Sequence, residues 1–332
     1  MDIVALTRQL VDIESITGNE ATVGHFLEQE LRELGYESRR MLVEGERANV
    51  WAISPGESNP AIAFSTHMDT VPPFIPSSED DQKIYGRGSC DAKGIIATQI
   101  AAAELLKREG IHVGLLFLVG EERDSAGAKV ANQQANGSKF LINGEPTESV
   151  LASGAKGSMR VHIRTHGRAA HSAYPHLGKS AITPMLELLP KLNSLKLPSD
   201  PVLGETTINV GLLHAGTGAN IIPAEAEAEM MIRLVGDRAP VQRAIEEWAK
   251  GVADLEYGSH IPPQRFHTLP GFKTAAVSYT TDIPLLARWG TPLLFGPGSI
   301  HVAHTPDERV AVKELRESVD AYVRLVRTLI TS

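Results

Sequence analysis

The stretch KGIIATQIAAAELLKREGIHVGLLFLV, residues 93–119, contains the two kinds of element from which the fold is predicted. Its first part, Lys93–Arg108, is rich in alanine and repeats apolar residues at helical spacing, as at Ile96 and Ile100. Its second part, Val113–Val119, is an apolar run that is too short to cross a bilayer and is typical of a buried strand. A helix followed at once by such a strand indicates an α/β fold.

The same alternation continues through the first 150 residues. Helices are predicted at Ile3–Ile13 and Glu20–Leu34, and strands at Ala48–Ile53, Ala61–Ser65 and Lys139–Asn143. Helices that alternate with apolar strands predict an α/β domain with a mostly parallel central sheet and helices on both faces.

The pattern changes after about Gly154. Ser158–Thr165 alternates apolar and charged residues, which favours a sheet with one face in solvent. A helix at Ser180–Leu195, strands at Thr206–Leu213 and Glu225–Leu234, and a helix at Ala239–Val252 follow. This β-α-β-β-α-β order predicts a small α+β (ferredoxin-like) domain. Helices are predicted again at Asp282–Trp289 and Val312–Ile330. We therefore expect a discontinuous domain of residues 1–155 and 262–332 with an inserted domain of residues 156–261.

Composition excludes several classes of protein. With 332 residues, 42% of them hydrophobic, the chain can bury a sizeable core in two domains. Its net charge of −8, with acidic and basic residues interleaved, does not resemble the basic surface of a nucleic-acid-binding protein. The single cysteine, Cys90, rules out an internal disulfide and a multi-cysteine metal site. The first residues have neither a basic region nor a cleavable apolar run, so we expect a cytoplasmic protein that does not bind membranes.

Five segments concentrate carboxylates and imidazoles where predicted strands end or near the C-terminus. They are Ser65–Pro72 (STHMDTVP), Gly86–Gly94 (GRGSCDAKG), Gly120–Arg123 (GEER), Gly144–Thr147 (GEPT) and His301–Glu308 (HVAHTPDE). Sites in open α/β sheets form outside the carboxyl ends of the strands, so these segments can converge in space.

Together the five segments resemble those of the metallopeptidase family that contains acetylornithine deacetylase, succinyl-diaminopimelate desuccinylase, aminoacylase and glutamate carboxypeptidase. The strongest matches are His67-x-Asp69, Asp91-x-Lys93-Gly94, Glu121-Glu122 and Glu145-Pro146. The resemblance extends over essentially the whole chain. It implies a zinc-peptidase catalytic domain and an inserted dimerisation or lid domain.

The resemblance also implies two zinc ions per chain, with cobalt as the alternative metal. Asp91 would bridge the two ions. His67 and Glu145 would complete one site, and Glu122 and His304 the other. His301 competes with His304, and the His-Thr-Pro-Asp-Glu run favours His304. Imidazole and carboxylate suit zinc, and three carboxylates with a bridging hydroxide would neutralise two Zn²⁺ ions.

Two acidic residues beside these ligands are implied to act in catalysis. Asp69 lies two residues after His67, on the same side of an extended segment, so it can hold the second imidazole nitrogen. Glu121 resembles the general base of the family. It would take the proton of the metal-bound water, which attacks the amide as a metal-bridging hydroxide, and deliver that proton to the leaving amine.

The inserted domain carries further candidates. His171, in Gly167–Pro175, resembles the histidine that reaches the active site of the partner subunit in a homodimer; a loop histidine with local hydrogen bonds is the alternative. Asn220 and Arg233 resemble oxyanion and substrate-carboxylate contacts, although Arg233 can also be a charge on a strand face. Lys156 stands where some members have arginine, which makes it a candidate substrate contact.

Two residues near the predicted metal site receive no catalytic assignment. Asp282 resembles a recurrent active-site acid of the family, but neither the motif nor the spacing gives it a role. Cys90 adjoins Asp91 without a base in its own segment, which favours a small buried residue over a nucleophile.

The implied activity is metal-dependent hydrolysis of the amide bond of an N-acyl amino acid. The segment Gly290–Glu308 favours an acetylornithine- or acetyl-lysine-like deacylase of amino-acid biosynthesis. A dipeptidase or carboxypeptidase would use the same metal site, and a non-catalytic zinc-binding protein is a further alternative. No Gly-x-Ser-x-Gly, His-Glu-x-x-His or phosphate-loop motif is present in the sequence. The motifs specify neither the acyl group nor the amino acid.

Overall fold

The computed structural model of the protein describes residues 1–135 and 137–331, and the chain falls into two compact units. The larger unit comprises Met1–Ser153, Phe266–Ala275 and Thr281–Ser332, and the inserted unit comprises Gly154–Arg265 and Ala276–Thr280. In the described part of the chain, no helix is both long enough and apolar enough to span a bilayer.

The unit boundaries differ from the predicted ones, which separated residues 156–261 from the rest. Residues 262–265 and 276–280 group with the inserted unit because their backbones pair with its first residues. Gln264 and Arg265 pair with Ala155 and Gly154, and the amide of Lys156 donates to the carbonyl of Val277. Backbone pairing of this kind has no signature in hydrophobic periodicity.

A six-stranded sheet forms the centre of the larger unit. In spatial order its strands are Glu37–Glu44, Arg47–Ile53, Gly114–Leu118, Ile62–His67, Phe140–Asn143 and Thr291–Leu294. The last four are mutually parallel, and the first two join by antiparallel pairing. The predicted mostly parallel sheet is confirmed.

Helices cover both faces of this sheet. Their bounds are Ile3–Asp12, Ala21–Glu33, Lys93–Arg108, Ala126–Gln133 and Val312–Thr331. Leu115 and Phe117 of the central strand pack into the core that includes Lys93–Arg108. Leu116 and Leu118 alternate with them and pack into a second core, beside Ala126–Gln133. The apolar run is continuous because this strand is buried on both sides.

Several elements of the larger unit were not predicted correctly, among them the sheet strand Thr291–Leu294. The strand Glu37–Glu44 was missed because it buries only Met41: Leu42 is exposed, and apart from Val43 the remaining residues are charged or polar. The helix Ala126–Gln133 was also missed. The predicted helix Asp282–Trp289 is wrong: only a 3₁₀ turn forms, at Ile283–Leu285, with a proline in its first positions.

The inserted unit is a four-stranded antiparallel sheet with helices on one face. Its spatial strand order is Thr207–Ala215, Glu225–Leu234, Gly157–His166 and Asp254–Ile261. The helices Ile182–Leu188 and Arg238–Ala249 pack on one face of this sheet. This is the strand order of a ferredoxin-like fold. The predicted helix Ser180–Leu195 continues only as a 3₁₀ helix, Leu189–Ser194, where Pro190 removes an amide donor.

Short strands complete both units. They are Ser78–Glu79, Lys83–Tyr85 and Arg309–Ala311; Leu151–Ala155, Gln264–Arg265 and Thr274–Val277; Ala170–His171 and Ile221–Ile222; and Ser199–Asp200 and Gly204–Glu205. A 3₁₀ turn spans Pro175–Leu177. The exposed face of the four-stranded sheet carries cross-strand ion pairs, such as Arg164 with Glu227.

Candidate metal centre

Three of the predicted ligand segments leave neighbouring parallel strands at the same edge of the sheet. His67 is the last residue of its strand, Glu122 follows the strand Gly114–Leu118, and Glu145 follows Phe140–Asn143. The His67 strand lies between the other two and is parallel to both. Strand direction therefore brings these three side chains to one end of the sheet.

Asp91 and His304 come from loops at the same centre. Asp91 lies just before the helix Lys93–Arg108, and Gly94 lets that helix begin against the loop, because a Cβ there would lie 2.3 Å from the carbonyl oxygen of Ser89. His304 has a positive φ of 62°, a left-handed conformation that is uncommon for residues other than glycine. Such a backbone persists only where its surroundings hold it in place.

The carboxylate of Asp91 lies between two imidazoles. Its Oδ1 is 3.0 Å from Nε2 of His67, and its Oδ2 is 3.4 Å from Nε2 of His304. Each imidazole also faces a second carboxylate: Nε2 of His304 is 2.9 Å from Oε1 of Glu122, and Nε2 of His67 is 3.9 Å from Oε2 of Glu145. The five predicted ligands thus form two groups that share Asp91.

The side chains of this cluster influence each other's pKa. Hydrogen bonds to Asp91 and Glu122 raise the pKa of His304 to about 10. Burial disfavours the imidazolium of His67, but hydrogen bonds to Asp69 and Asp91 still raise its pKa. Burial and the nearby charge of Glu145 raise the pKa of Glu121 well above its usual range. The carboxylates therefore stabilise positive charge on the two imidazoles that lie between them.

Carboxylates outnumber imidazoles at this centre. The acidic members are Asp69, Asp91, Glu121, Glu122, Glu145 and Asp282, and the imidazoles are His67 and His304. Oε1 of Glu145 is buried without a hydrogen-bond partner among the described residues. Burial raises the pKa of Asp282 to about 6, and the Ser125 side chain opposes this shift only in part. Both carboxylate oxygens of Asp282 are buried, and neither has a well-formed hydrogen bond among the described residues. An orphaned carboxylate oxygen in such a cluster fits a bound cation.

The donor types and spacing suit a divalent metal. One ligand atom each from His67, Asp91 and Glu122 lies within 4.8 Å of the others. Imidazole nitrogen and carboxylate oxygen are the donors that zinc takes at catalytic sites. The residues present therefore fit the metal that the sequence motifs imply, and they offer enough ligands for more than one ion.

Asp69 is buried and supports the centre through several contacts. Its carboxylate accepts hydrogen bonds from the amides of Glu121 and Glu122, at 3.1 and 3.2 Å, and from the Thr17 hydroxyl at 2.7 Å. Nδ1 of His67 lies 3.0 Å from the backbone carbonyl of Asp69 and 3.5 Å from its carboxylate. The closer partner of the imidazole is thus the backbone of Asp69, a detail that the motif did not predict.

Glu121 is half-buried in the turn that follows the strand Gly114–Leu118, next to Glu122. Its amide is fixed by Asp69, and its side chain is not part of the three-residue group of closely spaced ligand atoms. Glu121 is therefore a carboxylate close to the predicted ligands His67, Glu122 and Glu145.

Two candidates in the inserted unit, His171 and Asn220, are exposed to solvent. His171 is exposed, and its Nδ1 accepts a hydrogen bond from the amide of Ala173 at 3.2 Å. Its short strand pairs with Ile221–Ile222, which places Asn220 next to it: the carbonyl of Asn220 accepts the amide of Ser172. The fold brings His171 and Asn220 together on one exposed loop pair.

Arg233 and Lys156 lie elsewhere in that unit. Arg233 is half-buried on the strand Glu225–Leu234, opposite Thr207 and Ser158, and burial lowers its pKa. Lys156 is buried, and its Nζ donates to the carbonyl of Glu205 at 2.6 Å. The ammonium of Lys156 thus already has a partner within its own unit.

His301 does not join the cluster around Asp91, unlike His304. It is exposed, and its amide donates to the Ser299 hydroxyl. Cys90 is buried, and burial raises the pKa of its thiol well above the usual range, as expected of an unreactive residue.

Three residues near the centre were not assigned from the sequence. Thr17 donates to Asp69, and Arg87 and Glu308 form a buried ion pair beside Asp91. Arg87 and Glu308 both occur in the quoted segments, but no local pattern connects residues so far apart. Only the tertiary structure shows their contact.

Comparisons with known proteins point to one family. The sequence profile described as peptidase family M20/M25/M40 matches residues 63–328. A peptidase M20 domain-containing protein of Schizosaccharomyces pombe is 40% identical, over 98% of this chain and 84% of its own length. A probable carboxypeptidase of Talaromyces marneffei is 37% identical, over 98% of this chain and 85% of its own.

A solved structure has the same fold. The aminopeptidase PepT of Bacillus cereus superposes with a TM-score of 0.79 at 24% identity, covering 99% of this chain and 98% of that one. A profile match over most of the sequence, together with relatives of this identity, shows the family that the motifs resembled. The chain therefore belongs to peptidase family M20/M25/M40, whose members are metallo-hydrolases that act on amide bonds.

Proposed function

We propose that this chain hydrolyses the amide bond that precedes a free α-carboxylate, in short peptides or N-acyl amino acids, at a centre of two divalent metal ions. The observation that carries this proposal is the position of Asp91, whose two carboxylate oxygens face two different imidazoles. Each imidazole has a second carboxylate of its own, which is the arrangement that two adjacent cations require.

The predicted ligands can be assigned to two ions. His67 and Glu145 with one oxygen of Asp91 would hold the first, and His304 and Glu122 with the other oxygen would hold the second. Zinc suits these donors, and cobalt has similar preferences. When bound, such ions lower the pKa of a water molecule and polarise the carbonyl of the substrate.

Glu121 is the proposed general base. Its carboxylate lies beside the ligand cluster, and its backbone is held by Asp69, which in turn is held by Thr17. Glu121 would take the proton of the attacking water and later give it to the leaving amine. Asp69 would hold the Glu121–Glu122 segment and the His67 ring in fixed positions relative to each other.

Arg233 is the proposed partner of the substrate carboxylate. It is half-buried, and among the described residues no acidic side chain forms an ion pair with it. The guanidinium of Arg233 is partly removed from water but has no carboxylate partner among the described residues. It is therefore suited to bind the carboxylate of a ligand, because its two parallel N–H groups match the two carboxylate oxygens. Asn220 is the proposed polar contact of the reacting carbonyl. Lys156 is a weaker candidate, because its ammonium donates to Glu205.

The leaving group is proposed to be a C-terminal amino acid. Curated relatives such as the one from Talaromyces marneffei are described as probable carboxypeptidases, which supports a peptide substrate. A deacylase with acetylornithine-like or acetyl-lysine-like substrates uses the same chemistry and stays a prediction from the segment Gly290–Glu308. Both readings require a free carboxylate next to the scissile amide.

The inserted unit is proposed to form a homodimer. The strand Thr207–Ala215 is at the edge of its sheet and carries the exposed side chains of Leu212 and Leu213. An exposed apolar edge of this kind can pair with its own copy across a two-fold axis. In such a dimer His171 would stabilise the developing oxyanion at the metal centre of the other chain.

A substrate panel with metal analysis tests the proposal. Protein loaded with zinc and shown by elemental analysis to carry two ions per chain would be given dipeptides, tripeptides and N-acetyl amino acids, each as the free acid and as the C-terminal amide. We expect release of the C-terminal residue from free acids and little turnover of the amides. Equal turnover of acids and amides, or release of the N-terminal residue from tripeptides, would contradict the assignment.

A further inference from the structure

Arg87 and Glu308 form an ion pair that lies beside the predicted metal ligands without belonging to them. Nη1 of Arg87 is 2.5 Å from Oε2 of Glu308, and the two side chains are 2% and 1% exposed. Charged side chains are buried to this degree only when paired or otherwise bound, so the pair holds specific parts of the molecule together.

Glu308 binds the loop that carries Asp91. Its Oε1 is 2.8 Å from the amide of Gly88 and 3.3 Å from the amide of Asp91, and the amide of Cys90 lies at 3.4 Å. Successive amides that converge on one carboxylate oxygen form an anion-binding loop. Here the anion is supplied by Glu308, which lies four residues after the predicted ligand His304.

Arg87 connects the same loop to two other segments. Its Nη1 donates to the carbonyl of Thr305 at 3.2 Å, next to His304. Its Nε donates to the carbonyl of Pro73 at 3.4 Å, in the segment that follows His67 and Asp69. One guanidinium thus joins the Asp91 loop to the segment of His304 and to the chain just after the segment of His67.

We propose that the Arg87–Glu308 pair is a positioning device that sets the separation between the bridging carboxylate of Asp91 and the imidazole of His304. This inference rests on the proposed two-metal function. Glu308 fixes the backbone amide of Asp91 from one side, and Arg87 holds the carbonyl next to His304 from the other. The left-handed backbone of His304 supports this reading, because an uncommon conformation needs contacts that keep it in place.

A purely structural ion pair would behave differently from a positioning pair. Loss of a structural pair lowers thermal stability and affects both metal sites alike. Loss of a positioning pair weakens chiefly the ion that would take His304 as a ligand, because His304 lies in a loop that Arg87 contacts, whereas His67 ends a strand of the sheet and Glu145 follows the next one by two residues. Residues that orient metal ligands typically contribute about 10- to 100-fold in affinity.

The test is a Zn²⁺ titration of metal-free protein by calorimetry, with the stoichiometry checked by elemental analysis. In Glu308→Gln, which keeps the side-chain shape, we expect one zinc equivalent to bind about 10- to 100-fold more weakly and the other to bind as in the wild type. In Arg87→Lys the charge remains, but one ammonium cannot reach Glu308, Thr305 and Pro73 together. We expect Arg87→Lys to weaken the same equivalent.

Asp200→Asn is the matched control. Asp200 accepts the amides of Val202 and Leu203, both at 2.8 Å, and pairs with Arg265 at 2.5 Å, so its chemistry resembles that of Glu308. It lies in the inserted unit, which contains none of the predicted ligands. We expect Asp200→Asn to bind both zinc equivalents with wild-type affinity.

A second readout does not need metal. In metal-free protein, Glu308→Gln should speed amide hydrogen exchange in a peptide covering Gly86–Asp91 and leave the peptide covering Phe140–Asn143 unchanged. If Glu308→Gln and Arg87→Lys bind both zinc equivalents as the wild type does, or weaken both equally, the inference is wrong. Wild-type protein that binds fewer than two zinc ions contradicts the proposed function instead, and exchange at Gly86–Asp91 then decides whether Glu308 holds the loop.

Discussion

The predicted ligands in the larger unit and the candidate residues in the inserted unit are held very differently. His67 and Glu145 are buried at or just after strand ends, Asp91 is buried in the loop before a helix, and short contacts join both of the others to His67. His171 and Asn220 are exposed on a loop pair whose contacts are local. The contacts that hold the first group join residues of the larger unit of one chain. The hydrogen bonds that hold the second group join residues of the inserted unit.

The largest effect should come from removal of metal, which breaks the arrangement in the larger unit. Treatment with a chelator should abolish amide hydrolysis, because the water molecule and the carbonyl would both lose their activating ions. Added zinc or cobalt should restore the activity. Elemental analysis must accompany the assay, and full activity in protein shown to be metal-free would refute the two-metal proposal.

The next effect concerns Glu121 and Glu122, which are adjacent in sequence but have different proposed roles. Glu121→Gln should lower kcat by about 10²- to 10⁴-fold, because an amide cannot accept the proton, while two metals remain bound. Glu122→Gln should instead reduce metal content. Steady-state kinetics and elemental analysis on both variants separate the roles, and a loss below about tenfold in Glu121→Gln would remove it as the base.

His171 tests whether the inserted unit acts across a dimer. His171→Ala should cost about 10²- to 10³-fold in kcat, as expected for one oxyanion contact, and His176→Ala, in the same exposed loop, should cost little. Mixing His171→Ala with Glu121→Gln and allowing subunits to exchange should restore roughly a quarter of wild-type activity, because about half the dimers are mixed and each has one intact site. No recovery after verified exchange would show that His171 does not act in trans.

The smallest predicted effect is on substrate binding by Arg233. Arg233→Met should raise KM by about 10- to 100-fold for free acids, the contribution of a charge-assisted hydrogen bond, and leave kcat nearly unchanged. Arg164→Met is the control, since that arginine is exposed and already paired with Glu227. If Arg233→Met discriminates against the C-terminal amide as strongly as the wild type does, another group binds the carboxylate.

The sequence predicted those parts of the fold whose residues are apolar in a regular pattern. The helix Lys93–Arg108 was predicted with both of its observed ends, because its alanines and isoleucines are buried at helical spacing. The strand Glu37–Glu44 was missed, since it lies at the edge of the sheet and buries only Met41. Pairing with its neighbour, which determines this strand, is a tertiary interaction that leaves no periodic signal.

The candidate metal centre was likewise predicted only in part from the sequence. The five predicted ligands lie in short motifs, and the structure brings them together around Asp91. Glu308 and Arg87 lie in two of those motifs, yet their contact joins positions 221 residues apart. A motif identifies which residue types are present, whereas the contact that orients them depends on how distant segments pack.

The order of the segments along the chain has a consequence for synthesis. His67, Asp91, Glu122 and Glu145 all precede the inserted unit, whereas His304 and Glu308 follow it. The ribosome therefore completes four ligands and the whole inserted unit before it makes the fifth ligand or the carboxylate that fixes the Asp91 loop. The edge strand Thr291–Leu294 and the helix Val312–Thr331 also come late. A nascent or truncated chain that lacks His304 and Glu308 cannot assemble the proposed two-metal centre, so hydrolysis of amide bonds would require a chain synthesised at least through Glu308.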